Sequence, residues 1–441
     1  MLPFLLTSLM VVAGLSACGN ESSESKHRAR LDRNANVLAN YKAGKDIHLA
    51  VVWDSRIRGF IEGAQLAMEE YNAEIAAEDE RSKRQALAEK RPPPALGHRL
   101  VLDVIDESAF TNTRAVARTR DEGSHRNALG EAGTQIAKAV LSNPNVLAVV
   151  GHMDERATLS AMLAYQKKGV LLLAGNATDT RLEWMSSSDF SETFGLYFQL
   201  RPTDETMVQR IAQTFVDRRW SNVYLAYENT SGNESLLQLL TSEFAKRNIR
   251  IHGSIAFRPG GNLNQLKLRT FQNHFTEVGA SDVDAIVLLA PAKVGAEIIK
   301  SSRGLGVLQP FVGTGAFLLP DFIEQVGPAG NNTLVTTLYR KNTFVVKRFE
   351  ERFTKRFPGL VPDETAAMGY DSVRLYVEAV ARAQTVESAT VSHVLRFDLP
   401  VFYGLLGSYV LKDGHSSALS YHLERLSKVP NSQKMEYVKA D

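Results

Sequence analysis

A single cysteine, Cys18, occurs in 441 residues. The body that follows it therefore has no disulfide framework and no thiolate cluster for a metal. Charge of one sign is lacking as well. The chain carries 51 basic and 49 acidic side chains, a formal net charge of +2, mixed along its length, so it has no one-sided field to attract nucleic acid. No apolar run reaches the roughly 20 residues that span a bilayer as a helix. Signatures of catalysis are missing: there is no Gly-rich phosphate loop ending in Gly-Lys-Ser/Thr, no Gly-x-Ser-x-Gly and no His-Glu-x-x-His. The 10 histidines are scattered without the spacing of a shared metal site. Neither an enzyme nor a cofactor is expected.

The longest apolar run, Leu2 to Leu15, has the length of a signal-peptide core. It ends in Leu15-Ser16-Ala17-Cys18 and gives way to a polar stretch. These four residues resemble the lipobox of bacterial lipoproteins, although Met1-Leu2-Pro3 lacks the usual Lys or Arg. The resemblance implies cleavage after residue 17 and a lipid on Cys18, anchoring an exported protein to a membrane. Residues 18–45 are polar and without apolar periodicity, which predicts an extended tether, and 431–441 read as a polar tail.

Between these ends, strands and helices alternate. Ile47–Trp53, Val146–Val150, Val170–Ala174, Val223–Tyr227 and Ala285–Ala290 are continuous aliphatic runs, the pattern of parallel strands covered on both faces. Phe60, Ala64, Ala67 and Tyr71, and later Val346, Phe349, Phe353 and Phe357, mark helix faces. Charge density and Pro92-Pro93-Pro94 make 74–98 an exposed helical extension followed by a stiff loop. The strand–helix pattern restarts after Arg201-Pro202, and two such sets in 441 residues predict two doubly wound α/β lobes.

Several motifs in this order resemble the type I periplasmic binding proteins, in particular the leucine/isoleucine/valine- and amide-binding branch. They are Gly63 to Asn72, Val149-Val150-Gly151-His152, Gly169 to Thr178, Gly369-Tyr370-Asp371-Ser372-Val373 and Phe402 to Gly407. The resemblance implies two parallel-sheet lobes joined by a three-crossing hinge. Lobe 1 would be 46–199 with 338–416, and lobe 2 would be 200–337 with 417–430.

Ligands of such folds sit beyond the carboxyl ends of the strands, and this selects the candidate binding residues. Asp54 and Arg56 follow the first strand, where a mutual salt bridge is an equal alternative. Asp154, Glu155 and Arg156 follow the strand ending at Val150. Asn176, Ala177 and Thr178 follow the strand ending at Ala174, where helix capping competes with ligand contact. In the second lobe the candidates are Asn229, Ser231, Pro291, Thr314 and Gly315. The resemblance puts an ammonium-binding glutamate at the position of Gly315 and a stacking tyrosine at that of Ser231. An ordinary α-amino acid is then disfavoured unless Asp154, Glu155 or Glu228 takes over. Tyr370 and Asp371 are read as packing and capping.

The resemblance implies a lipid-anchored solute-binding protein that captures a small polar ligand (amino-acid-like, amide or organic anion) and delivers it to the membrane permease of an ABC-type importer. The alternative is a regulatory or sensor lipoprotein of the cell envelope that uses the same fold to bind a partner protein.

Overall fold

The structure, a computed structural model, describes residues 23–88, 97–113, 116, 122–178, 194–257, 282–429 and 434–440. The first sheet holds β1 (Ile47–Trp53), β2 (Leu100–Asp106), β3 (Val146–Gly151), β4 (Leu171–Ala174) and β5 (Tyr197–Gln199), all parallel, in the order β2-β1-β3-β4-β5. The second repeats that order with β6 (Asn222–Glu228), β7 (Arg250–Phe257), β8 (Ala285–Leu289), β9 (Phe311–Gly313) and β10 (Thr333–Thr337), arranged β7-β6-β8-β9-β10. The aliphatic runs explain the shared layout: β3 and β8 are buried along their whole length, which requires helices on both faces of each sheet.

A short hairpin, β11 (Phe402–Tyr403) with β12 (Ser408–Tyr409), is pinned from beneath by Asp371. The Asp371 carboxylate accepts the N–H groups of Leu405 (2.7 Å) and Leu406 (3.0 Å) and the Tyr409 hydroxyl (2.9 Å). Two antiparallel strands, β13 (His422–Lys428) and β14 (Met435–Lys439), then extend the second sheet beyond β10. The chain passes between the sheets three times: between β5 and the helix Asp204–Asp217, between β10 and the helix Phe344–Arg356, and between β12 and β13.

The helices Phe60–Ala88 and Glu364–Ala383 pack backbone to backbone on the first sheet. A Cβ at Gly63 would stand 1.9 Å from the Ala366 carbonyl oxygen, and one at Gly369 would stand 2.1 Å from that of Phe60. Only glycine permits this approach.

Two segments differ from the sequence expectation. Ser23–Lys42, expected to be part of a tether, is a helix. Val37 is buried, Arg33 donates to the carbonyls of Leu141 (3.0 Å), Asn143 (2.6 Å) and Val146 (3.0 Å), and Tyr41 stacks on His98 at 3.9 Å. Val37, Leu38 and Tyr41 are too few to register as a periodic apolar face, and one arginine does much of the docking. The expected polar tail contains β14, held by its ladder to β13 and by Tyr437, which is buried. The helical reading of 74–88 agrees with the structure; Pro92-Pro93-Pro94 and Cys18 lie outside the described residues. No helix among the described residues is long and apolar enough to cross a membrane.

Candidate ligand cleft

A cleft of about 300 Å³ opens between the two sheets, beyond the carboxyl ends of β1, β3, β4 and β9. This is where parallel strands end and loops expose unpaired backbone groups. Trp53, Ile57 and Met153 supply an apolar wall from the first lobe. Leu319, Met207 and Met368 continue it, while Asn176, Thr178, Thr314 and Thr365 add polar groups. Trp53 stacks face to face on Phe60 at 4.0 Å and donates its indole N–H to the Ile57 carbonyl, so its ring is fixed.

The charged floor of the cleft is formed by Arg201, Asp204 and Glu364. Arg201 donates to Glu364 and, at 2.9 Å, to the Asn176 side-chain oxygen. Burial opposes the Arg201 charge, but Glu364 and Tyr421 more than offset this and raise its proton affinity. Glu364 also accepts the Thr337 hydroxyl and the Leu338 N–H, both at 2.8 Å. Arg201 belongs to the first crossing, Thr337 and Leu338 to the second and Tyr421 to the third, so one ion pair gathers all three.

The expected residues divide into two groups. Asn176, Thr178, Thr314 and Gly315 line the cleft, and a Cβ at Gly315 would lie 3.8 Å from an Arg201 terminal nitrogen. Asn176 also donates to the Met153 carbonyl at 2.9 Å, so it links the loops after β3 and β4 to the hinge. The Thr178 N–H donates to Glu155 at 3.1 Å, which fastens those two loops together.

The others lie away from the lining. Asp54 and Arg56 satisfy each other through a fork, with Nε–Oδ1 at 2.9 Å and Nη2–Oδ2 at 2.5 Å, and the Arg56 hydrogen bond holds the Asp54 carboxyl below its ordinary range. Asp154 caps the helix Glu155–Lys167, accepting from the N–H groups of Arg156 (3.0 Å) and Ala157 (2.8 Å). Ala177 is 1% exposed and packs in the core beneath the loop. Asn229 is exposed, with its N–H donated to the Phe257 carbonyl, and Pro291 is an exposed N-cap. Ser231 opens the helix Ser231–Lys246, and its side chain lies outside those described.

The acids expected to compensate for Gly315 do not line the cleft. Asp154 is committed to its cap and Glu155 to Thr178, and Glu228 is 7% exposed beneath its strand end. Asp204 and Glu364, which sequence reasoning missed, do line it. Arg201-Pro202, already marked as the point where the pattern restarts, was the available signal for Arg201. Nothing local marks Glu364 as its partner.

Behind the β3 loop lies a buried group of Glu107, His152 and Tyr165. Glu107 accepts the N–H groups of Met153 (2.7 Å) and Asp154 (3.2 Å), and His152 meets the Tyr165 hydroxyl at 3.1 Å. These contacts fix the backbone that carries Met153 into the cleft. Among the described residues no three His, Cys, Asp or Glu side chains converge to hold a metal ion.

A family profile described as periplasmic binding protein matches residues 128–421. No curated protein sequence matches the chain. An ABC transporter substrate-binding protein of Desulfitobacterium hafniense in complex with Leu superposes with a TM-score of 0.66 at 20% identity, covering 89% of this chain and 100% of that one. A leucine binding protein from Thermotoga maritima gives 0.66 at 17% identity, covering 89% and 97%. An ABC transporter substrate-binding protein from Sphaerobacter thermophilus gives 0.70 at 15% identity, covering 90% and 97%. With the profile matching well over half of the chain, and the solved structures sharing its two-lobed fold, the chain belongs to the periplasmic binding protein family, whose members bind rather than transform their ligands.

Proposed function

We propose that this protein is the extracytoplasmic solute-binding component of an ABC-type importer, and that its ligand is a small amino-acid-like zwitterion with an apolar side chain. The carrying observation is the composition of the cleft: one wall of Trp53, Ile57, Met153 and Met207, and a floor holding Arg201 and Asp204, charges of both signs. An apolar side chain suits the wall. A carboxylate suits Arg201 and the hydroxyls of Thr178 and Thr314, and an ammonium suits Asp204, which stands in for the acid missing at Gly315. Relatives of the same fold are described as binding Leu, which agrees with this reading.

In this reading the lobes are 46–199 with 338–416 and 200–337 with 417–430, and they close on the ligand about the three crossings. Cys18 carries a lipid after removal of 1–17, which keeps the protein on a bacterial membrane beside its permease. The fixed helix Ser23–Lys42 leaves only a short link between the lipid and the body.

The test is a thermal-shift and calorimetric panel of branched, aromatic and polar amino acids, amides and organic anions. A ligand at about 100 times its dissociation constant stabilises the fold by roughly 2.7 kcal/mol. A shift confined to apolar amino acids is expected. A shift with monocarboxylates alone would remove the ammonium from the proposal, and no shift with any compound would sink it. Labelling with radioactive palmitate, abolished by Cys18→Ala, tests the anchor.

A further inference from the structure

A second cavity, of about 200 Å³, lies on the hinge behind the ligand cleft. Glu364 borders both spaces. Leu318 and Ile323 reach the second cavity from beyond β9, Lys341 from the second crossing, Val361 from the loop before the helix Glu364–Ala383, and Glu424 from β13.

Glu424 sets the chemistry. It is 6% exposed. The Nε2 atom of His422 is 4.0 Å away, but burial and nearby Arg340 push that ring's pKa down to about 4, so it is neutral and supplies no counter-charge. The neighbouring hydroxyls are engaged elsewhere: Tyr339 donates to Glu350 at 2.9 Å and Tyr437 to the Phe317 carbonyl at 2.5 Å. Asp363 caps its own helix through the Ala366 N–H. Lys341 borders the same cavity and makes no direct ion pair with Glu424, but its charge partly offsets the burial of that carboxylate. A carboxylate so enclosed is costly unless a cation or donors meet it. No convergent set of metal ligands exists here among the described residues; Leu318, Pro320, Ile323, Val361 and Pro362 give the cavity an apolar side, and Glu324 and Thr337 complete its lining.

We propose that this cavity is a second binding site, for a small primary ammonium compound whose N–H groups are received by Glu424. Its alkyl body lies against Leu318, Ile323 and Val361. The site is separate from the cleft and does not depend on which solute the cleft takes.

The experiment is calorimetric titration of the full chain with n-butylammonium chloride at about pH 8, above the raised Glu424 value of about 7, with n-butanol and sodium chloride as controls. Saturable binding of the ammonium alone is expected. Glu424→Gln should weaken it about tenfold, the scale of one charge-assisted hydrogen bond. Val361→Trp, at a position 76% exposed on the rim, should block entry without touching the core. Equal binding to Glu424→Gln, equal binding of butanol, or no saturable heat with the unmodified chain would overturn the proposal. If Glu424→Gln fails to fold, the rim variant decides: unimpaired binding to it overturns the site.

Discussion

The Arg201 guanidinium is held by Glu364, a residue 163 positions further along the chain, at the floor of the ligand cleft. Through Glu364 the contact extends to Thr337 and Leu338, and Tyr421 joins it from the last crossing. Arg201→Met leaves a carboxylate whose side chain is only 9% exposed without its cation. A loss of about 3 kcal/mol is expected. The double variant Arg201→Met/Glu364→Gln should lose clearly less than the two single losses added together, as measured by urea unfolding. Strict additivity would show that the two groups do not act as a pair.

Buried acids set the pH response. Asp363 and Asp371 stand at about 6 and Glu424 at about 7, each raised by burial. These groups hold their protons more tightly in the folded state than in the unfolded chain, so their contribution to stability falls as pH rises from about 4 to about 7. His422, pushed down to about 4, works in the opposite direction between about 6.5 and 4, and is outnumbered. Asp106 is opposed by burial but held at about 2 by Ser55 and Ser108, and its contribution is lost only in stronger acid. The melting temperature should therefore be higher at about pH 5.5 than at about pH 7.5. Glu424→Gln should flatten the upper part of that slope. A melting temperature that rises over this interval would contradict the assignment.

Asp154 caps the helix Glu155–Lys167 and is not among the residues that line the cleft. Asp154→Ala should cost about 1 kcal/mol in unfolding free energy and leave solute affinity within about twofold, whereas Asn176→Ala should weaken the solute about tenfold by freeing Arg201 and Met153 together. A larger affinity loss for the Asp154 variant than for the Asn176 variant would reverse these roles.

The crossing of Phe60–Ala88 with Glu364–Ala383 has no room for a methyl group at either glycine. Gly63→Ala and Gly369→Ala should each cost about 2 kcal/mol or more, because backbone and not a flexible side chain must move. Differential scanning calorimetry would show this as a lowered melting temperature, and an unchanged value would mean that the helices separate freely.

The strands were legible because burial on both faces demands unbroken aliphatic runs, as in Val146–Val150 and Ala285–Ala290. The loops that follow them were legible for the same reason, which brought Asn176, Thr178, Thr314 and Gly315 to the cleft. Chemistry that depends on distant pairing was not. Glu364 looks like an ordinary first-turn acid until Arg201 meets it, and Asp204 looks like another. The salt bridge of Asp54 with Arg56, by contrast, is a local pairing that the sequence offered as an equal alternative to ligand contact. The docked helix Ser23–Lys42 escaped notice because an arginine that reaches the carbonyls of Leu141, Asn143 and Val146 leaves no periodic trace.

The position of β13 has a consequence for how the molecule is made. It is the neighbour of β10 in the second sheet, yet residues 338–421 lie between them in sequence. Until residues 422–439 arrive, β10 is an open edge with unpaired backbone groups. The second lobe thus reaches its final form only after nearly the whole polypeptide has been synthesised. Such a delay leaves one side of the second sheet unfilled until translation is almost over.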